Sequence, residues 1–281
     1  MLFLPMPVDV SAEVLHNTWL APDYNVVAFR APEIAAQAKP GQFVMVKCSD
    51  GLDPLLRRPF SIFELIRDED GRYTGISILN KRVGAGTARL HDVRAGDHLS
   101  VLGPLGQPFV PVAPPAEAWM VAGGVGLAPF ATLAEALAEC GTTTTLFYGG
   151  RSARDIYYEE LFTALGVRLV ITTEDGSRGE RGRVTAPLER ELAARMPAQD
   201  VTIYACGPTP MMRAVARLGA AAGRSVSVSL EPVMGCGMGG CYSCVVPVRQ
   251  GTHSHFVRSC IEGPVFDAGT LVWDAMSSTG H

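Results

Sequence analysis

The sequence has no run of lysine and arginine, and its formal net charge is −4. Such a surface lacks the positive field that nucleic acid or anionic lipid requires, so neither is expected as a partner. An apolar stretch of spanning length is also missing. The longest uncharged run, Ala118 to Ala134, is broken by Gly123, Gly124, Gly126 and Pro129, which does not suit a bilayer-crossing helix. The opening "MLFLPMPVDV" has no basic residue ahead of its apolar part and meets Asp9 early, a poor match to a secretory leader. Cysteines number only seven and are unevenly spread, unlike the framework of a secreted disulfide protein. There is no internal repeat and no low-complexity tail. These absences predict a soluble, cytoplasmic protein.

What is present is ordinary globular material. Of 281 residues, 47% are hydrophobic and 19% charged, enough for two modest domains and a small appendage. The first hundred or so residues read as short strands: "YNVVAFRAP", "GQFVMVKCS", "RRPFSIFELI", "YTGISILNKRV" and "DHLSVLGPL". Gly, Pro and Asp turns separate them, and no convincing amphipathic helix interrupts them, which predicts a small antiparallel barrel or sandwich. Val112-Ala113-Pro114-Pro115-Ala116 reads as a linker, since proline stiffens the chain and removes a ladder donor. Strand-then-helix alternation follows, from "AWMVAGG" and "PFATLAEALAEC" to "DVTIYACGP" and "TPMMRAVARLGAAAG". It predicts a parallel, doubly wound α/β sheet covered on both faces. From Glu231 the alternation stops. The expected division is a β-barrel at 1–112, an α/β domain at 113–230 and a small cysteine-bearing unit at 231–281.

That last unit opens with "MGCGMGGCYSC". Cys236, Cys241, Cys244 and Cys260 form C-x4-C-x2-C followed by fifteen residues and C, the spacing of the plant-type [2Fe–2S] loop. Gly235, Gly237, Gly239 and Gly240 let the backbone turn tightly and aim N–H groups at cluster sulfurs. A structural zinc site, recruiting His253 or His255, remains the bland alternative. Cys48, Cys140 and Cys206 are expected to be small buried hydrophobes. His16, His91, His98 and His281 have no recognisable partner and read as solvated or packed.

"VAGGVGLAPF" follows a strand and opens a helix, so Gly124 and Gly126 could admit a phosphate to the helix N-terminus. Pro129 falls early in the helix, where its missing N–H costs little. A tight βα turn with no ligand is the plainer reading, because the pattern departs from G-x-G-x-x-G. "YACGPTPMM" is a second strand-turn-helix corner, and ligands collect at such carboxyl ends. Arg151 and Arg154, near the end of the next strand, leave NADP possible on charge grounds. In the first domain Arg58 offers a guanidinium for a pyrophosphate and Ser61 a small hydroxyl. Gly84, Gly86 and Thr87 would form a turn whose N–H groups and hydroxyl hold phosphate. Read alone, these are also ordinary edge-strand and hairpin residues.

In order and spacing, R-P-F-S, G-A-G-T, G-G-V-G-L-A-P and C-G-P together resemble the ferredoxin–NADP reductase superfamily. With the C-terminal cysteines and the tail "CIEGPVFDAGTLVW", nearly the whole chain is similar to electron-transfer subunits of class 1B NAD-dependent dihydroorotate dehydrogenases, which serve UMP biosynthesis. The resemblance implies an FAD-binding antiparallel barrel, an NAD-binding α/β domain and a [2Fe–2S] domain. By it, Arg58, Pro59, Phe60 and Ser61 form the flavin motif, although Phe60 stands where much of the superfamily has Tyr. Leu79, Asn80 and Lys81 would line FAD, and Gly86 and Thr87 would form the phosphate turn. Gly124, Gly126 and Pro129 match the nicotinamide-nucleotide turn, and Cys206, Gly207 and Pro208 the corner approaching the nicotinamide. Cys236, Cys241, Cys244 and Cys260 match the cluster ligands. Implied too is an FMN-containing catalytic subunit that oxidises dihydroorotate, two of each chain forming a heterotetramer. Electrons would pass singly through the cluster to FAD and leave as hydride to NAD⁺, with no side chain of this chain acting as acid or base. Flavin subunits of a sulfide dehydrogenase or a ferredoxin-dependent transhydrogenase share this build. A redox sensor or zinc-stabilised scaffold would be a non-enzymatic rival.

Overall fold

The computed structural model describes residues 6–49, 51, 53–195 and 200–276, so His281 lies outside the described residues. Six strands close an antiparallel barrel: β1 (Val8–Ala21), β2 (Tyr24–Arg30), β3 (Phe43–Val46), β4 (Arg58–Arg67), β5 (Tyr73–Lys81) and β6 (His98–Leu105). Their order around it is β1-β2-β5-β4-β3-β6. Its interior is aliphatic and aromatic, with Val14, Val27, Phe29, Val44, Ile62, Ile76 and Val101 all buried. Two helices interrupt the strands, contrary to expectation: α1 (Pro32–Ala35) and α2 (Ala85–Asp92). α2 is short and weakly apolar. It buries Gly86, Leu90 and His91, too few positions for a helical period to stand out.

The second sheet contains β7 (Glu117–Gly123), β8 (Thr144–Gly150), β9 (Arg168–Thr173), β10 (Glu180–Arg181), β11 (Val201–Cys206) and β12 (Ser225–Ser229). These six strands run parallel in the order β10-β9-β8-β7-β11-β12. Helices α3 (Ala128–Glu139), α4 (Glu159–Ala164), α5 (Thr185–Ala194) and α6 (Thr209–Ala221) connect them. β7 shows why both faces are covered. Ala118, Met120 and Ala122 pack with α3 and α4 residues such as Phe130, Leu133 and Phe162. Trp119 and Val121 pack on the other side with Leu188, Met212 and Val215 of α5 and α6. A strand buried on two faces must be apolar at consecutive positions, as "AWMVA" is.

After the cysteine loop come a hairpin, β13 (Val245–Gln250) with β14 (His253–Arg258), and a single turn, α7 (Ser259–Glu262). The chain then returns to the second sheet, where β15 (Val265–Asp267) pairs antiparallel with β12. The cysteine unit is thus laced to its neighbour by a strand. No helix among the described residues is long and apolar enough to cross a membrane.

Candidate functional site

A cleft of about 1170 Å³ runs between the barrel and the parallel sheet and reaches the cysteine loop. Its barrel wall arises because two neighbouring strands part. β4 and β5 pair only from Ile62↔Ile78 onward. Arg58–Ser61 pair with β3 alone, and Leu79–Lys81 pair with β2 alone. The splayed ends leave one edge of each strand open to the cleft. That is why the four successive residues Arg58, Pro59, Phe60 and Ser61 all line it. On β5 the pleat alternates: Leu79 and Lys81 line the cleft, whereas Asn80 does not. Asn80 is fully buried and hydrogen-bonded behind the strand, to Asn25 Oδ1 at 2.8 Å and the Thr87 carbonyl at 3.0 Å.

The start of α2 lies against the same wall, through Gly84, Ala85, Gly86 and Thr87. The Thr87 hydroxyl is not directed to a ligand as expected. It accepts the N–H groups of Val83 and Gly84 at 2.8 and 3.0 Å and donates to the Gly84 carbonyl at 3.0 Å. It closes the helix start. The N–H groups of the first helical turn, which lack intrahelical acceptors, are the groups left to receive an anion. Gly86 leaves room for Arg58, whose Cγ would lie 3.2 Å from a methyl group there. A guanidinium beside a helix N-terminus fits a pyrophosphate.

Across the cleft stand two corners of the parallel sheet. Gly124 and Gly207–Pro208 line it; Gly126, Pro129 and Cys206 do not. At Gly126 a methyl group would meet the Cys206 carbonyl oxygen at 2.3 Å. This glycine lets one corner pack on the other and does not contact the opening. Pro129 is buried in the first turn of α3, as its missing donor permits. Cys206 has its sulfur 3.8 Å from Glu231 Oε1, and burial pushes its thiol well up, with the carboxylate adding to the shift. Glu231 itself lines the cleft. Sequence reasoning missed it because it stands just past β12, where the strand-helix alternation ends. Arg151 is on the lining and Arg154 is not. Also missed was Asp155, which takes the Arg151 and Ser152 N–H groups on Oδ2 and the Tyr24 hydroxyl on Oδ1 at 2.9 Å. It ties the barrel to the sheet beside the cleft.

The cysteine loop closes the third end, where Met234, Gly235 and Ser243 join the lining. None of the four cysteines is joined in a disulfide. They fall into two neighbouring pairs, Cys236 beside Cys241 and Cys244 beside Cys260. Four thiolates arranged two by two suit two irons. The Met238 N–H points at Cys236 Sγ from 3.4 Å, as the glycine-rich backbone was expected to allow. Ser243, which the spacing argument passed over, lies 3.1 Å from Cys241 Sγ and accepts the Gly235 N–H at 2.8 Å. Its hydrogen bonds bring the Cys241 thiol down to about 6. Burial, with Cys244 beside it, pushes Cys260 up to about 12. Bound metal would hold a buried pair of that kind ionised. Gly237 combines a φ of +73° with a site where a methyl group would meet Met45 Cγ at 2.5 Å, so glycine is required. Gly240 has open space around it and needs no such explanation.

Hairpin register disposes of zinc recruitment by the two histidines. His255 faces Val248 and His253 faces Gln250, four and six residues beyond Cys244, which is roughly 13 and 20 Å along the strand. Among the described residues no three His, Cys, Asp or Glu side chains close on a single-ion site. Of the remaining cysteines Cys48 is buried and its thiol is pushed up to about 11, whereas Cys140, expected inside, is exposed at the end of α3. His91 is packed flat on Trp19 at 5.6 Å, and His98 sits at an exposed strand end.

Barrel, parallel sheet and cysteine unit around one cleft define a flavin- and nucleotide-dependent reductase of the ferredoxin–NADP reductase build with an added iron–sulfur unit. Comparison with known proteins agrees. Residues 120–217 match the oxidoreductase NAD-binding domain, and residues 231–272 match the iron–sulfur cluster binding domain of dihydroorotate dehydrogenase B. The dihydroorotate dehydrogenase B (NAD(+)) electron transfer subunit of Desulforamulus reducens is 38% identical over 94% of this chain and 98% of its own. That of Geobacillus kaustophilus is 42% identical over 83% and 87%. Among solved structures, an NADH-dependent reduced ferredoxin–NADP oxidoreductase studied for flavin-based electron bifurcation aligns with a TM-score of 0.81. It shares 30% identity over 94% of this chain and 91% of that one. A ferredoxin–NADP⁺ reductase from Neisseria gonorrhoeae, at 18% identity and TM-score 0.63, shares the fold. The chain belongs to the family of electron transfer subunits of NAD(+)-dependent dihydroorotate dehydrogenase B.

Proposed function

We propose that this chain takes electrons one at a time from an FMN-containing dihydroorotate-oxidising subunit and delivers them in pairs to NAD⁺. Bound FAD and a [2Fe–2S] cluster would supply the change from single electrons to hydride. One observation carries the reading: a single cleft is lined at once by the Arg58–Ser61 strand, the Gly124 and Gly207 corners and the cysteine loop at Met234 and Gly235. Cofactors held at those three places would be neighbours. Arg58 and the first turn of α2 hold the flavin pyrophosphate, and Phe60, Ser61, Leu79 and Lys81 border its ring. Gly124, Gly207 and Pro208 admit the nicotinamide nucleotide, and Cys236, Cys241, Cys244 and Cys260 bind the cluster. Asn80, Gly126, Pro129 and Cys206 act from behind, by setting those surfaces, and Thr87, on the cleft wall, closes the start of α2. The division into 1–112, 113–230 and 231–281 belongs to this proposal, with β15 as the strand the third unit lends to the second.

The partner would dock where the cluster loop meets solvent. Met238 and Tyr242 are each 62% exposed, and an apolar pair at a cofactor's rim suits a protein contact. Two copies of each subunit would make the complex. Replacing both residues by Asp should abolish co-elution with the catalytic subunit while the bound flavin spectrum is unchanged; intact co-elution would move the interface elsewhere.

The deciding experiment is NADH formation from dihydroorotate, without oxygen, by this chain mixed with its FMN subunit. NADH should appear only in the complete mixture and not with Cys244→Ser. The likeness to the bifurcating oxidoreductase supplies a second reading, a different electron donor. That reading would stand if the mixture is silent while the chain alone oxidises NADH with an artificial acceptor.

A further inference from the structure

We propose that Asn17, Asn25 and Asn80 form a ladder that grips α2 along its length, from the residues after its last turn to Thr87, so that its start stays aimed at the flavin pyrophosphate. These are positioning residues, and the inference rests on the FAD reading above. The three side chains come from β1, β2 and β5, adjacent strands of the barrel, and are joined end to end. Asn25 donates to Asn17 Oδ1 at 2.7 Å, and Asn80 donates to Asn25 Oδ1 at 2.8 Å. Asn25 and Asn80 are wholly buried. Each rung also donates to a backbone carbonyl of α2 or its end. Asn80 reaches Thr87 at 3.0 Å and Asn25 reaches Leu90 at 3.2 Å. Asn17 reaches His91 and Val93 at 3.0 and 2.9 Å, and the Trp19 indole adds a bond to His91 at 3.2 Å.

Leu90 and His91 are among the last four residues of the helix, whose carbonyls have no N–H of their own helix to accept. Inside a protein such groups are costly unless met. α2 meets them with side chains from the barrel wall in place of a glycine cap, and its C-cap, Val93, is extended. An eight-residue helix has little stability alone. Its direction is therefore set by what grips it. The grip runs from the last turn back to the Thr87 carbonyl, and the cleft, with Arg58 and Gly86, lies at the helix start. Asn80 spends both amide protons on this task, leaving its Oδ1 buried with no partner among the described residues. An asparagine kept on such terms is there for its donors.

The test measures FAD and riboflavin binding to the cluster-loaded, flavin-free chain, as wild type and as Asn25→Ala and Asn80→Ala. Riboflavin carries the ring without a phosphate. FAD affinity should fall about tenfold in each variant, the loss of one or two hydrogen bonds, while riboflavin affinity stays as in wild type. Equal losses for both ligands would make the ladder a general stabiliser of the barrel and overturn the proposal, as would unchanged FAD affinity. Should neither buried variant fold, the half-buried Asn17→Ala is read in the same way. Arg58→Ala separates this idea from the reading beneath it. If that variant binds FAD as tightly as wild type, the pyrophosphate is not at this end of the cleft, whatever the asparagines do.

Discussion

A methyl group at Gly126 would sit 2.3 Å from the Cys206 carbonyl oxygen, against backbone that cannot swing away. Gly126→Ala should therefore force apart the two corners proposed to admit the nucleotide. We expect a loss of about 1–3 kcal/mol and a weaker NADH complex, with flavin content unchanged, checked by thermal melts and an NADH titration. Asn80 is the companion case on the barrel side. For both, the sequence located the right turn or strand, and the side of it had to come from the fold. Strand alternation could have separated Asn80 from Leu79 and Lys81. Nothing local could have shown that Thr87 spends its hydroxyl on its own helix, or that Cys140 ends a helix in solvent while Cys206 ends a strand in the core. The four cysteines of the last unit were legible as neighbours, because their spacing alone predicts that Cys236, Cys241, Cys244 and Cys260 come together, as they do.

Among the elements, α3 carries an unpartnered cost that can be removed. Glu135 is half-buried, and desolvation raises its carboxyl above the usual range, with Arg67 opposing and Glu64 and Glu139 adding to the shift. A carboxyl raised in the folded state contributes stability below its unfolded pKa and loses it as pH rises through the folded value. Glu135→Gln mimics the protonated form at every pH. It should raise the melting temperature at pH 7, and the gain should vanish below about pH 4. Melts of both proteins across that range decide it; an equal gain at low pH would point to packing and not to charge. Five strands of the parallel sheet and the four helices between them were legible from their alternation, whereas β10 was not, being two exposed charged residues, Glu180 and Arg181. β1 was not, because its fourteen residues mix exposed and buried positions around two bulges, blurring the period of two. α2 was missed because most of its anchoring is polar and comes from other strands.

For the whole molecule, the cluster is expected to hold the cysteine unit in place. Cys244 and Cys260 are buried with Met234 and with Phe43, Met45, Leu102 and Leu105 of the barrel. Losing the metal leaves two desolvated thiols among these side chains. In Cys244→Ser we expect faster protease cleavage between residues 231 and 244, loss of dihydroorotate-driven NADH formation, and near wild-type NADH oxidation with an artificial acceptor. Loss of both activities together would mean that the flavin site also depends on the cluster. Composition and motif order disclosed three units; they did not disclose how firmly the third is tied down.

That tie has a consequence for timing. β15 pairs with β12, Leu230 donates to the Pro264 carbonyl at 2.9 Å, and Gln107 of the barrel bonds to Gly263 and Ile261 at 2.6 and 3.0 Å. The cluster unit is stitched to both neighbours, so it has no tether on which to travel. An electron crossing this chain waits for no diffusing arm. Thickening the solvent with glycerol should leave internal transfer in the assembled complex at its rate in plain buffer and slow only the encounters with dihydroorotate and NAD⁺.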